Sequence, residues 1–528
     1  MTLFDTAALN KETMHRLSPD TVSNVYNGLD CCVTFEVYER LMEELAEEPD
    51  NVRATYAFAL EKSAPFLEMS LRGILIDQAA LRKTQDALQK TLDEVKARFA
   101  YMTKEIFGHA ISATSHIQVK WLFYEYLGIS AIKKRNSKGV YAPSSDEDAL
   151  NRLMFNFWAE PFARYILVIR ELSKKLSFLR TKLSEEGRFR TSLNIAGTNT
   201  GRSSSSSSDF GDGSNLQNID TTLRYPFVAD EGMILVNVDL EQADARNVGA
   251  TIYSMAIDSD EKLPDGRWVR DLAPQYLDAC ESGDTHSMVA KMSWPELDWP
   301  EDFKDWKDFC DNIDVYPGVS YRQAAKKLGH ATNYLGQPRS IAERTHIPRA
   351  VVEAFQPRYF KGFPLIPWWQ QETIRLIKET GTLTTLYGRR RHFYGRPDDA
   401  ETWRAAIAYC PQSMTGEQID RGITQLWKGV SEAQLLIQVH DSILFQVPYA
   451  RHVELVPRAL ELLRFPIALR GGRMFEVPLE AKTGYNWGNR LEDKKTGKVE
   501  NEWGLSKWKG QDPRTPPNRK RSVRELIG

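Results

Sequence analysis

Two aspartates stand where apolar strands end or turn. Asp239 closes "GMILVNVD", and Asp441 sits at the bend of "LLIQVHDSILFQV", residues 435–447. Burying a carboxylate without a partner is costly. If the strands share one sheet, both carboxylates meet at its edge and need cations. Two divalent ions roughly 3.5–4 Å apart would neutralise them and would suit an in-line phosphoryl displacement. One ion would lower the pKa of an attacking hydroxyl; the other would stabilise a leaving pyrophosphate. Oxygen-only ligands point to Mg²⁺, with Mn²⁺ as a substitute. Taken singly, Asp239 reads as a helix cap and Asp441 as a turn residue.

A third stretch shifts the balance. In "RQAAKKLGHATNYLG", Arg322, Lys326, His330 and Tyr334 are spaced by four. Each such step drifts only about 40° around a helix, so the four share one face. Two cations lie near its start and two rings further along. The cations could hold a triphosphate, and the rings could stack a base or sugar. An ordinary basic surface helix is the plainer reading, but it leaves the aromatic continuation of the stripe unexplained.

Elements of known period must position these groups. Residues 1–50 read as helical turns, and "AALRKTQDALQKTLDEVKARFAYMTKEIFG" as a long helix. "SATSHIQVKWLFYEYLG" reads as a capped helix, "AIKKRNSKGVYAPSSDEDAL" as a basic loop before a helix start, and a further helical region ends near Leu183. "TSLNIAGTNTGRSSSSSSDFGDGSNLQNID" reads as a long loop, its serine run 203–208 as a flexible connector. A helix is expected after Asp239, another over "ETWRAAIAYCPQSMTGEQIDRGITQLW", and the hairpin follows it. Residues 256–320 have no clear order, and 489–528 read as a loosely ordered basic tail.

Bulk properties set the frame. A chain of 528 residues needs several subdomains. Hydrophobic residues at 42% and charged residues at 27% fit a soluble globular protein. The net charge of -2 confines any basic nucleic-acid surface to a local patch. Five cysteines without metal-site spacing fit a reducing compartment. No signal-peptide layout or membrane-length apolar run occurs, so a cytoplasmic location is expected, with no membrane partner.

The three stretches resemble motifs A, B and C of family A (DNA polymerase I-type) DNA polymerases. "VDLEQADAR" is similar to D-Y-S-Q-I-E-L-R, "RQAAKKLGHATNYLG" to the O-helix pattern R-x3-K-x7-Y-G, and "IQVHDSILFQV" to Q-V-H-D-E. "TNTGRSSSSSSDFGDGSNLQNI", "GDTHSMVA", "YGRRRHF", "RAAIAYCPQSMTGE" and "GYNWG" follow the family's order, from about residue 20 to 488. The resemblance implies an α/β (α+β) right hand, with an antiparallel palm sheet and helical fingers and thumb. Its expected divisions are an exonuclease remnant at 1–52, thumb 53–185, palm 186–250 and 381–488, and fingers 251–380 with the O-helix at about 320–336. It implies template-directed addition of dNTPs to a primer 3′ end. Asp239 and Asp441 would bind the two metal ions, with the Leu240 carbonyl as a further ligand. Arg322 and Lys326 would hold the triphosphate, Lys326 also protonating the pyrophosphate. His286, Gln242, Asp244, His330 and Tyr334 would line the nucleotide site. Arg202, Asn218, Arg404, Gln412 and His440 would contact primer–template DNA.

Three positions depart from the family pattern. Asp244 replaces the usual Glu gate against the ribose 2′-OH, His330 replaces Phe or Tyr, and Ser442 replaces Glu. "VYNGLDCCVTFEVYERL" resembles the last motif of the family's 3′-5′ exonuclease, with Tyr26 and Asp30 in place. The other carboxylates of such a nuclease are missing: Asp5 is followed two residues on by Ala7. Proofreading is therefore not expected from this chain alone. Tyr26 and Asp30 would belong to a helix packed on thumb and palm; alternatively, a separate exonuclease subunit completes the site. The compact chain is more similar to bacteriophage replicative members, which would place it in the host cytoplasm with a processivity factor as a further partner. Rival readings are a single-subunit RNA polymerase or reverse-transcribing relative, and a catalytically inactive DNA-binding replication subunit.

Overall fold

The structure, a computed structural model, describes residues 18–135, 139–492 and 498–514. Asp5 and the end of the basic tail, 515–528, lie outside those residues. Helix α1 spans Pro19–Glu47, with Ser18 Oγ accepting from the Thr21 amide; none of its residues is buried. Helix α2, Asp50–Arg72, follows directly. Helix α3, Gln78–Phe107, starts where Asp77 accepts from the Ala79 and Ala80 amides and stops at the left-handed Gly108. It packs against α4, Glu160–Leu179, through Leu92, Phe99, Ile166, Ile169 and Leu176. That cluster gives the region expected as thumb its own core. Helix α4 stops at Leu179, short of the expected Leu183. The expected basic loop is instead a hairpin in which Lys133–Arg135 pairs with Tyr141–Pro143.

The central sheet has five antiparallel strands. Strand β1 is Met233–Leu240, β2 Gln434–Val439, β3 Ser442–Pro448, β4 Leu479–Gly484 and β5 Ser506–Lys507, in the spatial order β2-β3-β1-β4-β5. Side chains alternate across a strand. Ile234, Val236, Val238 and Leu240 face the largest core, and Leu235 faces a second one. Helix α5, Ala243–Ala256, leaves the end of β1 and buries eleven residues, of which Ala243, Val248, Ala250, Ile252, Tyr253 and Ala256 join the largest core. Helix α6, Thr285–Ser293, and α7, Tyr321–Asn333, belong to the helical region that shares it. The thirty-residue α8, Ala400–Gly429, runs behind the sheet and is followed by β2, β3 and α9, His452–Leu463. Residues 256–320, unordered from sequence, hold short helices at Pro274–Glu281 and Phe303–Asp311 besides α6.

Two expectations fail here. The serine run is no flexible connector: Ser204–Ser206 pairs with Ser192–Asn194, and Ser203 and Ser208 are buried. Nor are the described tail residues 498–514 loose. They supply β5, bury Leu505 and Asp512, and lodge Arg514 against Asp512 at 2.6 Å and the Thr483 carbonyl at 3.0 Å. Among the described residues, no helix is long and apolar enough to cross a membrane.

Candidate active site

Strand pairing brings the two aspartates together. β1 lies between β3 and β4, so Asp239 is flanked by Ser442 on one side and Glu480 on the other. The Leu240 amide donates to the Asp441 carbonyl at 3.1 Å. Asp441 stands at the tip of the β2–β3 hairpin beside His440, whose φ of +57° makes the tight reversal. Among the described residues, neither carboxylate has an ion-pair partner. Burial, then the Asp441 charge, holds the Asp239 carboxyl well above the usual carboxylate range. Glu480 adds to that field, while Lys482 and Lys326 oppose it. Among the described residues, no cluster of three or more His, Cys, Asp or Glu could hold a metal. Asp239 and Asp441 offer two carboxylates, an oxygen-only pair that fits Mg²⁺.

Five of the expected nucleotide residues, Gln242, Asp244, His286, Lys326 and His330, gather with Asp239, Leu240 and Asp441 around a cavity of about 580 Å³, whereas Arg322 and Tyr334 are not among its lining residues. Ser320 caps α7 by accepting from the Gln323 amide, and the α7 face turns Lys326 and His330 into the cavity. Lys326 has no ion pair among the described residues. Tyr334 follows the last turn of α7, and its hydroxyl donates to Asp244 Oδ1 at 2.6 Å. His330 Nδ1 lies 3.0 Å from the other oxygen, Oδ2, and its ring meets Tyr334 edge-on. Thus both rings of the stripe converge on Asp244.

Arg322 behaves differently from Lys326. Its guanidinium forks onto Asp284, at 2.7 and 2.8 Å, and does not line the cavity. Asp284 caps α6 through the Ser287 amide and hydroxyl. Burial alone would raise the Asp284 carboxyl, but the Arg322 and Ser287 bonds bring it down to about 2. The pair locks α6 to α7 and so sets His286 against the cavity. Burial pushes the His286 imidazole down to about 4, so it is neutral at neutral pH.

Polar side chains that sequence reading did not single out run beside three of the expected DNA contacts, Arg202, Asn218 and His440. Ser203 Oγ donates to Gln438 Oε1 at 2.5 Å, and Gln217 Nε2 donates to the same oxygen at 2.9 Å. Gln438 Nε2 in turn donates to the His440 carbonyl at 2.6 Å. This network joins the neighbours of Arg202 and Asn218 to the hairpin. Arg202 Nε donates to the Gln412 carbonyl at 3.0 Å. Arg404 stays exposed about two turns earlier on α8, away from this network. The buried Ser203 hydroxyl beside the buried Gln438 was hidden by the low-complexity look of the serine run.

Tyr26 and Asp30 are not brought to the site. Both are exposed on α1, which does not bury them on thumb or palm as expected. Tyr26 is 60% exposed.

The geometry now stands beside the comparisons. Residues 78–252 and 317–489 match the model of DNA polymerase family A, and the chain belongs to that family. Asp284 and His286 fall between the matched stretches. DNA polymerase I, thermostable, of Thermus aquaticus is 27% identical over 443 residues, 80% of this chain and 46% of that protein. DNA polymerase I of Synechocystis sp. is 26% identical over 510 residues, 89% of this chain and 46% of that protein. The chain thus spans about half the length of these relatives. Among solved structures, the POL domain of Pol1 from M. smegmatis in complex with DNA primer-template and dNTP shares the fold. Its TM-score is 0.62 at 21% identity, covering 81% of this chain and 69% of that one.

Proposed function

We propose that this chain is a template-directed DNA polymerase that adds dNTPs to a primer 3′ end and releases pyrophosphate, acting in phage DNA replication. The carrying observation is the junction of Asp239 and Asp441, joined by the Leu240–Asp441 backbone bond at the open end of the sheet. Asp239, Asp441 and the Leu240 carbonyl would hold two Mg²⁺ ions, which when bound supply Lewis-acid stabilisation of phosphoryl oxygens. Lys326 reaches the triphosphate and gives its proton to the departing pyrophosphate. Gln242 and His286 border the phosphates, His286 as a neutral imidazole. Asp244, held by Tyr334 and His330, stands beside the sugar. Arg202, Gln412 and His440 contact primer–template near the primer end, with Asn218 and Arg404 as further contacts of the same kind. Residues 53–185 serve as thumb, 186–250 and 381–488 as palm and 251–380 as fingers, with 1–52 an exonuclease remnant open to a separate subunit. A primer-extension assay with dNTPs and with rNTPs tests the reading: dNTP-dependent extension is expected, and preferential rNTP addition contradicts it.

A further inference from the structure

Lys62 of α2 and Asp420 of α8 form an ion pair at 2.9 Å, with side chains only 3% and 2% exposed. A buried ion pair is a poor way simply to join two helices, because desolvation cancels much of the attraction and apolar residues serve as well. Here Asp420 Oδ1 has no hydrogen-bond partner among the described residues. Lys62 does one thing an apolar side chain could not: its Nζ also donates to the Gly201 carbonyl at 3.4 Å.

That carbonyl precedes Arg202. Gly201 has φ +77°, and a Cβ there would lie 2.4 Å from the Arg389 guanidinium, so the turn is closely shaped. Arg202 bonds the Gln412 carbonyl and lies on Gly416, where a Cβ would come within 2.8 Å of Arg202 Cγ. Gln412, Gly416 and Asp420 are spaced by four and share one face of α8. The turn is therefore mounted on three successive helical turns, and Lys62 makes the last attachment.

We propose that Lys62 is a positioning residue for Arg202: bound at once to Asp420 and to the Gly201 carbonyl, it fixes the angle at which Arg202 meets the primer end. This rests on the reading of Arg202 as a primer contact. Lys62→Met alone would strand a buried carboxylate and could unfold the chain. The test therefore uses Lys62→Met/Asp420→Leu, which keeps the volume and removes both charges. The full-length wild type, this double variant, Arg202→Ala and the triple variant are assayed for primer extension, thermal midpoint and dNTP KM. The double variant is expected to keep its midpoint and dNTP KM yet extend a matched primer about ten- to a hundredfold more slowly. The triple variant should be no slower than Arg202→Ala, since Lys62 acts through that residue. Wild-type rates in the double variant, or losses that multiply in the triple variant, overturn the inference. Failure of the wild type to extend any primer contradicts the polymerase reading itself and the inference with it.

Discussion

Tyr334 donates its hydroxyl to Asp244, 2.6 Å from Oδ1, tying the end of α7 to the start of α5. With His330 at 3.0 Å from Oδ2, both carboxylate oxygens are engaged by one helix. Asp244 is one methylene shorter than Glu, and these contacts fix where its carboxylate stands. Asp244→Ala should lower the preference for dNTPs over rNTPs about tenfold or more, and Tyr334→Phe should lower it less. Competitive incorporation assays check this. Undiminished preference in Asp244→Ala would move the gate elsewhere, with His330 the next group.

Lys326 and Arg322 share a helical face but not an environment. Lys326 lines the cavity with no ion pair among the described residues, whereas Arg322 is forked onto Asp284. Lys326→Ala should cut kcat/KM for dNTP about ten- to a hundredfold, the cost of one charge-assisted contact. Arg322→Ala should in addition lower the thermal midpoint, because it releases α6 from α7. Steady-state kinetics with melting curves separate the two, and equal midpoints in both variants would count against the structural part of the Arg322 role.

Asp239 is held protonated to unusually high pH by burial and by Asp441. A carboxyl raised in the folded state but ordinary in the unfolded one makes the metal-free protein lose stability as pH rises from about 4 towards neutrality. Asp239→Asn should therefore raise the metal-free midpoint at pH 7.5 by roughly 1–3 °C while abolishing extension. Melting in EDTA checks the sign. A lower midpoint in Asp239→Asn would contradict the electrostatic account.

The strands and helix bearing the motifs were legible because each has a plain pattern: apolar, β-prone runs in β1 and β3, a four-residue stripe in α7. What was hidden depends on partners far away in the chain. Ser204–Ser206 becomes a strand only opposite Ser192–Asn194, and Ser203 is ordered by Gln438, 235 residues on. The 505–514 segment has no period because it is fixed by single contacts such as Arg514 to Thr483. Arg322 could be placed on its face from spacing, but its engagement with Asp284 could not.

Exonuclease activity offers a separate check on α1. Asp30 is exposed, and among the described residues no group of three or more His, Cys, Asp or Glu could hold a metal. Incubation with a 3′-mismatched primer and Mg²⁺, without dNTPs, should leave the primer intact. Stepwise shortening abolished by Asp30→Ala would show the opposite.

The central claim is that Asp239 and Asp441 act as one catalytic pair. Primer extension by Asp239→Ala and Asp441→Ala, measured beside primer–template affinity, tests it most directly. Most affinity comes from phosphate contacts elsewhere, so DNA binding should persist. Extension should fall by more than about a hundredfold in each variant, since each removes a metal-binding carboxylate. Near-wild-type extension by either variant would contradict the account.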